Sequence, residues 1–212
     1  MSNYYAIRAY LLVDVSGSIK NNSDKIDAGV RMMINNLRQS DILVGTDIYL
    51  TVMAFNHRQH EVKVGEKNFR DLLINDSFDV NQMEEIKCKG GATDIGTPLY
   101  GIVRNAVEQY RTDRRSVTKF YHPIVALFTD GCPNAGLLNG VPEQEKVEQS
   151  FRLAADLIKE KENMRMLHFV AFYYGDNDAD YQKLLTLSNY ENHIMRYDNN
   201  DQMERFFFGN SC

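Results

Sequence analysis

Apolar positions along the chain follow two different periods, and their alternation predicts an α/β protein. Four near-continuous apolar runs are typical of strands that are buried on both faces. They cover residues 6–13, 48–55, 122–129 and 166–172. Between successive runs, apolar residues recur at helical spacing. These helical segments cover residues 26–37, 99–110 and 147–158.

Weaker patterns complete the set of predicted elements. A short alternating segment at 61–64 follows the second strand through residues 56–59, which predicts a hairpin and an antiparallel edge strand. Short helices are predicted at 69–74 and 181–187, a sixth strand at 193–196, and a terminal helix from about residue 201. This order of elements predicts one domain over residues 1–212. Its fold is a doubly wound, mostly parallel six-stranded sheet with one antiparallel edge strand and helices on both faces.

Composition narrows the classes of protein that the chain can represent. The 212 residues are 43% hydrophobic and 25% charged, with a net charge of −5, as in ordinary globular proteins. Basic residues are scattered, so we expect no nucleic-acid partner. No segment approaches the roughly 18 apolar residues of a membrane span, so we expect no membrane partner. Three widely spaced cysteines indicate a reducing compartment. The sequence therefore predicts a cytoplasmic protein.

Candidate chemistry lies where the apolar strands end. Ligands of open parallel sheets bind beyond the carboxyl ends of the strands, where the strand order reverses. With the common order 3-2-1-4-5-6, the first and fourth strands are neighbours there, and they end in Asp14 and Asp130. Ser16 and Ser18 follow Asp14 and add two hydroxyls. Such oxygen ligands suit a hard cation such as Mg²⁺, although the loop alone also fits a polar turn whose serines cap backbone donors.

A glycine-rich loop at 90–98 supplies a further hydroxyl, that of Thr93, at the start of a predicted helix. Together with residues 12–18 and 128–131, the segment 91–93 resembles a motif of von Willebrand factor A domains in order and approximate spacing. That motif is the three-part metal-ion-dependent adhesion site. The resemblance covers essentially the whole chain.

The resemblance implies a set of metal ligands and a function. The implied ligands are Asp14, Ser16, Ser18, Thr93 and Asp130, with the aspartates binding directly or through water. The implied cation is Mg²⁺, with Mn²⁺ or Ca²⁺ as alternatives. The implied function is a non-catalytic protein-binding module, in which an Asp or Glu of a partner protein completes the metal shell.

Within the family, the compact length and residues 10–14 are most similar to bacterial TerY-like proteins linked to tellurium resistance. Those proteins are often encoded beside a kinase and a phosphatase. The resemblance therefore implies a stress-response or defence setting, and a kinase or phosphatase encoded nearby as the partner.

An enzyme is the alternative interpretation of the same first loop. Phosphoryl-transfer enzymes of the haloacid-dehalogenase type also place an aspartate beside Mg²⁺ at the end of the first strand. Those enzymes carry a second aspartate two residues later, which protonates the leaving group, whereas this chain has Ser16 there. The sequence therefore favours the binding module over the enzyme.

Overall fold

The computed structural model describes residues 5–39, 45–75, 78–116, 118–131, 133, 137–138, 141–142 and 144–197. Eight strands form the main sheet: β1 (Tyr5–Asp14), β2 (Thr46–Phe55), β3 (Gln59–Glu61), β4 (Leu72–Ile74), β5 (Lys119–Phe120), β6 (Ile124–Thr129), β7 (His168–Tyr173) and β8 (Ile194–Arg196). The α-helices are α1 (Ser23–Gln39), α2 (Gly96–Asp113), α3 (Gln144–Asn163) and α4 (Asp178–Leu185). Short 3₁₀ turns occur at Ser18–Asn21, Val80–Gln82 and Glu191–His193. Two small ribbons pair Lys63–Val64 with Lys67–Asn68 and Leu137–Leu138 with Val141–Pro142.

The main sheet is mostly parallel and is six positions wide. Its order is β8-β7-β6-β1-β2-β3, and every pair from β8 to β2 is parallel. Both β3 and β4 pair antiparallel with β2, at its two ends, while β5 lies beside the start of β1. These pairings confirm the predicted mostly parallel sheet, its antiparallel edge and the expected neighbourhood of the strands that end near Asp14 and Asp130.

Helices cover both faces of the sheet, as predicted, and β1 lies at the centre of both cores. Leu11 and Val13 are fully buried in the cluster that includes apolar residues of α1. Leu12 points to the other face and is fully buried in a cluster with residues of α2 and α3. This alternation is what a strand covered on both faces requires. It places the carboxyl end of β1 inside the protein.

Two local predictions on the edge side of the sheet are wrong. Residues 69–74 do not form a helix, because Leu72–Ile74 is strand β4 and pairs with residues 48–50 of β2. The edge of β2 offers unpaired backbone groups, and pairing satisfies them as an isolated turn of helix does not. The predicted strand at 61–64 is divided between β3, which ends at Glu61, and the ribbon strand Lys63–Val64.

The remaining elements agree with the sequence patterns where they are described. Helix α4 begins at Asp178, earlier than predicted, because the side chain of Asn177 accepts a hydrogen bond from the Ala179 N–H and caps the helix. The terminal helix predicted from about residue 201 lies outside the described residues. Among those that are described, no helix combines the length and the apolar character needed to cross a membrane.

Candidate metal centre

The carboxyl edge of the sheet brings together the ends of β1 and β6. Asp14 is the last residue of β1 and is fully buried. Its Oδ1 accepts a hydrogen bond of 2.8 Å from the Ser16 N–H, and its Oδ2 accepts one of 2.7 Å from the Thr129 hydroxyl at the end of β6. Both oxygens of the Asp14 carboxylate are therefore held in fixed directions.

A continuous chain of hydroxyls extends from this carboxylate edge across three segments of sequence. The Thr93 hydroxyl donates to Ser16 Oγ at 2.7 Å, and Ser16 Oγ lies 3.0 Å from Ser18 Oγ. The Ser18 hydroxyl in turn donates to Asp130 Oδ1 at 2.7 Å. The structure thus places all five predicted residues in one cluster. Their role as metal ligands stays a prediction.

Hydrogen bonds hold the Thr93 loop against the loops that follow β1 and β2. The Gly17 N–H donates to the Gly91 carbonyl at 3.0 Å, and the Asn56 side-chain amide donates to the Gly90 carbonyl at 2.7 Å. Gly91 has a φ of +87°, and a Cβ there would lie 2.5 Å from the His57 ring. Only glycine fits this position without displacing a neighbour.

Sequence reasoning missed three residues that orient the cluster. Thr129 donates to Asp14, Asn22 Nδ2 approaches Asp130 Oδ2 at 3.4 Å, and Asn56 holds the Gly90 carbonyl. A signal existed for Thr129, because it is a hydroxyl residue that ends an otherwise apolar run. Asn22 and Asn56 act from separate loops, and their sequence positions carry no comparable signal.

Burial dominates the electrostatics of both carboxyl groups. It raises the pKa of Asp14 from 3.8 to about 6, against the opposing effect of the Ser16 and Thr129 hydrogen bonds. Burial also raises the pKa of Asp130, while Ser18 and Asn22 lower it. A cation beside these carboxylates would offset the cost of burying their charge.

The donor set fits a hard cation. It consists of two carboxylates and three hydroxyls, which are the oxygen ligands that Mg²⁺ and Mn²⁺ accept. The part of the chain that the structure describes contains no group of three or more His, Cys, Asp or Glu side chains suited to a metal. Cation binding here would therefore depend on the hydroxyls of Ser16, Ser18 and Thr93.

A cleft of about 630 Å³ opens beside the cluster. Its walls include Ser18, Thr93 and Asp130 on the cluster side. Glu148 and Lys183 line the opposite side and form an ion pair of 2.5 Å. The cleft therefore joins the oxygen cluster to solvent.

Comparison with known proteins shows the fold. Neither the protein-family models nor the curated protein sequences contain a match to the chain. Solved structures do match. Proximal thread matrix protein 1 from the mussel byssus, with a zinc-occupied MIDAS motif, is 16% identical with a TM-score of 0.57, over 97% of this chain and 47% of that one. The pilus adhesin SpaC from Lactobacillus rhamnosus GG is 13% identical with a TM-score of 0.57, over 97% of this chain and 29% of that one.

A third match is the manganese-loaded Plasmodium vivax TRAP protein, at 18% identity and a TM-score of 0.54, over 93% of this chain and 70% of that one. The chain spans less than half the length of the mussel and Lactobacillus proteins. At such identities the similarity concerns the fold alone. The sheet order, the helices on both faces and these matches together show that the chain has the fold of a von Willebrand factor A domain.

Proposed function

We propose that this protein is a divalent-cation-dependent protein-binding module, in which a carboxylate of a partner protein completes the shell of the bound cation. One observation carries the proposal. Two carboxylates and three hydroxyls from distant segments are in hydrogen-bond contact at the edge of a cleft of about 630 Å³. This arrangement offers oxygen ligands on one side and space for a partner on the other.

The residues of the cluster have distinct roles in this proposal. Ser16, Ser18 and Thr93 offer neutral oxygens, while Asp14 and Asp130 carry the negative charge. When the two aspartates bind through water, the three neutral ligands leave the divalent cation incompletely neutralised, so the bound cation would attract an acidic side chain entering the cleft. The hydrogen bonds from Thr129 and from the Ser16 N–H keep Asp14 oriented towards the cluster.

Mg²⁺ is the cation that we propose, with Mn²⁺ or Ca²⁺ as alternatives. The absence of His and Cys from the five-residue set disfavours zinc, which prefers imidazole and thiolate ligands. Among structures of similar fold, TRAP is manganese-loaded and the mussel matrix protein has zinc in its MIDAS motif. The fold therefore accommodates divalent cations at such a site.

The cellular setting that we propose rests on sequence resemblance. Residues 10–14 resemble TerY-like proteins, which favours a cytoplasmic bacterial stress-response or defence role and a partner kinase or phosphatase encoded nearby. The free thiol of Cys88 is compatible with a reducing compartment.

Binding is favoured over catalysis by the surroundings of Asp14. A nucleophilic aspartate needs a carboxylate oxygen that can reach the substrate. Asp14 is fully buried, and both of its oxygens already accept hydrogen bonds. Ser16 stands where the haloacid-dehalogenase type has its acid, so the chain offers no proton donor there.

Calorimetry on chelator-treated protein tests the proposal. Mg²⁺ or Mn²⁺ should bind once per chain, and Asp14→Ala should weaken that binding at least about tenfold, because the buried charge is lost. Asp156→Ala removes an exposed aspartate of α3 and should leave the affinity unchanged. Absence of cation binding in the wild type, or equal binding in Asp14→Ala, would show the proposal to be wrong.

The partner carboxylate is tested separately with a small probe. N-acetyl-aspartate amide should bind the wild type in the presence of Mg²⁺, whereas the asparagine counterpart should not. Chelation should abolish the binding. Equal binding of the two probes would contradict the carboxylate mechanism, and Mg²⁺-dependent hydrolysis of an aryl phosphate that Asp14→Ala abolishes would favour the enzyme.

A further inference from the structure

A second polar cavity lies at the opposite edge of the sheet from the oxygen cluster. His122 precedes β6 and His168 begins β7, so the cavity is at the amino ends of these parallel strands. Its volume is about 290 Å³. The polar and aromatic residues that line it are His122, Glu162, Arg165, His168, Tyr190 and His193. The length of β6, roughly 20 Å, separates the two sites, so this cavity is not part of the cleft described above.

Three donors in this cavity lack a protein acceptor. Within the described residues, no side-chain hydrogen bond or ion pair engages His122, His168 or Arg165. The ring centroids of the two histidines lie 5.8 Å apart, and the His122 ring also contacts the ring of Tyr110. Glu162, the acidic residue of the cavity, already has hydrogen-bond partners within the protein. Its oxygens accept hydrogen bonds from Ser188 Oγ at 2.9 Å and from the Asn189 N–H at 3.0 Å, and one lies 3.1 Å from His193 Nδ1.

The backbone at Arg165 has a conformation that usually belongs to glycine. Arg165 has a φ of +52°. Its own N–H donates to the carbonyl of Glu162, and the N–H of Met166 donates to the carbonyl of Lys161. This is the motif that ends many helices, and the residue in the left-handed conformation is usually glycine. An arginine there bears a conformational cost that glycine avoids, and such strain concentrates at functional positions.

Two arginines supply positive charge near the histidines of the cavity. Burial lowers the pKa of His122, and the nearby Arg114 and Arg165 lower it further. The pKa of His168 is also lowered, chiefly because neighbouring atoms partly desolvate its ring. His122 and His193 lower it further, against the opposing effect of Glu162. The positive charges of Arg114 and Arg165, which contribute to the lowered pKa of His122, would stabilise a bound negative charge.

We propose that this cavity binds a phosphate-class oxyanion, held by the guanidinium of Arg165 and the imidazoles of His122 and His168. A phosphate group carries about −1.5 to −2 charge and has three strong acceptor oxygens, which matches three unengaged donors better than a carboxylate does. The planar guanidinium suits two of those oxygens at once. The same chemistry belongs to inorganic phosphate and to phosphomonoesters.

Arg165→Gly is the sharpest variant for testing the site. It removes the guanidinium and installs the residue that the left-handed backbone prefers, so the variant should be at least as stable as the wild type. Phosphate affinity should fall about tenfold or more, as expected for loss of a charge-assisted hydrogen bond. His168→Gln should weaken binding in the same direction. Arg104→Gln removes an exposed arginine of α2 and serves as the matched control, with an affinity within about twofold of the wild type.

The measurement follows the Cε1–H signals of the histidines by NMR during titration with inorganic phosphate, in chelator so that no cation recruits the anion to the other edge. We expect saturable shifts of His122 and His168, with their pKa values raised in the complex. Phosphoserine forms a second arm. Equal affinity for both ligands would show that the site recognises the phosphate group alone. Tighter binding of phosphoserine would identify a phosphomonoester as the ligand. Absence of saturable shifts with either ligand, or unchanged binding in Arg165→Gly, would overturn the proposal.

Discussion

Asp14 is ionised at neutral pH in a place that disfavours charge. It is fully buried, and its pKa is raised to about 6 even though hydrogen bonds from Ser16 and Thr129 favour the carboxylate. The residue that supplies negative charge to the candidate site therefore costs stability when no cation is bound. This conflict between local stability and binding is common at functional positions.

The conflict predicts a specific dependence of stability on pH. Because the pKa of Asp14 is about 6 in the folded protein and near 3.8 in the unfolded chain, the folded state binds more protons between these values. The free energy of unfolding in chelator should therefore fall as the pH rises through this window, by up to about 3 kcal/mol from this group. Asp14→Asn should remove that contribution and make the chelated protein more stable at pH 7.

Urea unfolding of the wild type and Asp14→Asn between about pH 4.5 and pH 7.5 checks this expectation. The difference between the two free energies of unfolding isolates Asp14 from the other carboxyl groups. Asp156→Asn, on the exposed face of α3, should follow the wild-type profile. Parallel profiles for wild type and Asp14→Asn would contradict the raised pKa.

At the residue scale, the sequence indicates the five residues of the cluster better than it indicates the residues that orient them. Asp14 and Asp130 interrupt apolar runs at strand ends, where the topology of a parallel sheet collects ligands. Thr93 is identified only through its resemblance to a known motif. Asn22 and Asn56 orient the cluster through contacts between loops, and no local pattern reports such contacts before the fold is known.

Among the elements, α2 matters most to the site because it begins three residues after Thr93. Its first residue, Gly96, lies directly against the backbone of α3. A Cβ at Gly96 would be 2.2 Å from Phe151 N and 2.3 Å from the Ser150 carbonyl carbon. The absence of a side chain thus sets how closely the two helices approach.

Two glycines of α2 give a matched pair of substitutions. Gly96→Ala should destabilise the protein by about 1–3 kcal/mol, because backbone atoms of α3 must move, and it should weaken cation binding by displacing Thr93. A Cβ added at Gly101 has no other atom within 4 Å, so Gly101→Ala should stabilise the protein by about 0.5–1 kcal/mol through helix propensity. Chemical denaturation and cation titration of both variants check the pair. Equal stabilities would contradict the close helix contact.

The long periodic elements were predictable, whereas the edge of the sheet was not. Strands β1, β6 and β7 are buried on both faces over most of their length, and β2 is buried on one face and half-buried on the other, so their apolar runs are unambiguous. Residues 72–74 are too few to distinguish strand from helix by periodicity, and the pairing of β4 with β2 decides their conformation. Tertiary context therefore determines these short segments.

At the scale of the whole molecule, a cation would connect three segments of the chain and should stabilise the folded state as a unit. A ligand at one hundred times its Kd contributes about 2.7 kcal/mol. For a chain of this length we expect Tm to rise by about 5–10 °C in saturating Mg²⁺. Scanning calorimetry with Mg²⁺ or chelator checks this, and Asp14→Ala should show no comparable rise. A similar rise in Asp14→Ala would assign the stabilisation to cations bound elsewhere.

The distances in sequence between the residues of the cluster also have a consequence for biosynthesis. Ser16 and Thr93 are 77 positions apart, Ser18 and Asp130 are 112 apart, and Asp14 and Thr129 are 115 apart. Such non-local contacts form late, after much of the loop-closure entropy has been lost. A nascent chain that has emerged only as far as α2 carries the serine loop and Thr93 but has neither Thr129 nor Asp130. Competence to bind a cation would therefore arise only after β6 has joined β1, so a partner that requires the cation would not engage an incompletely translated chain.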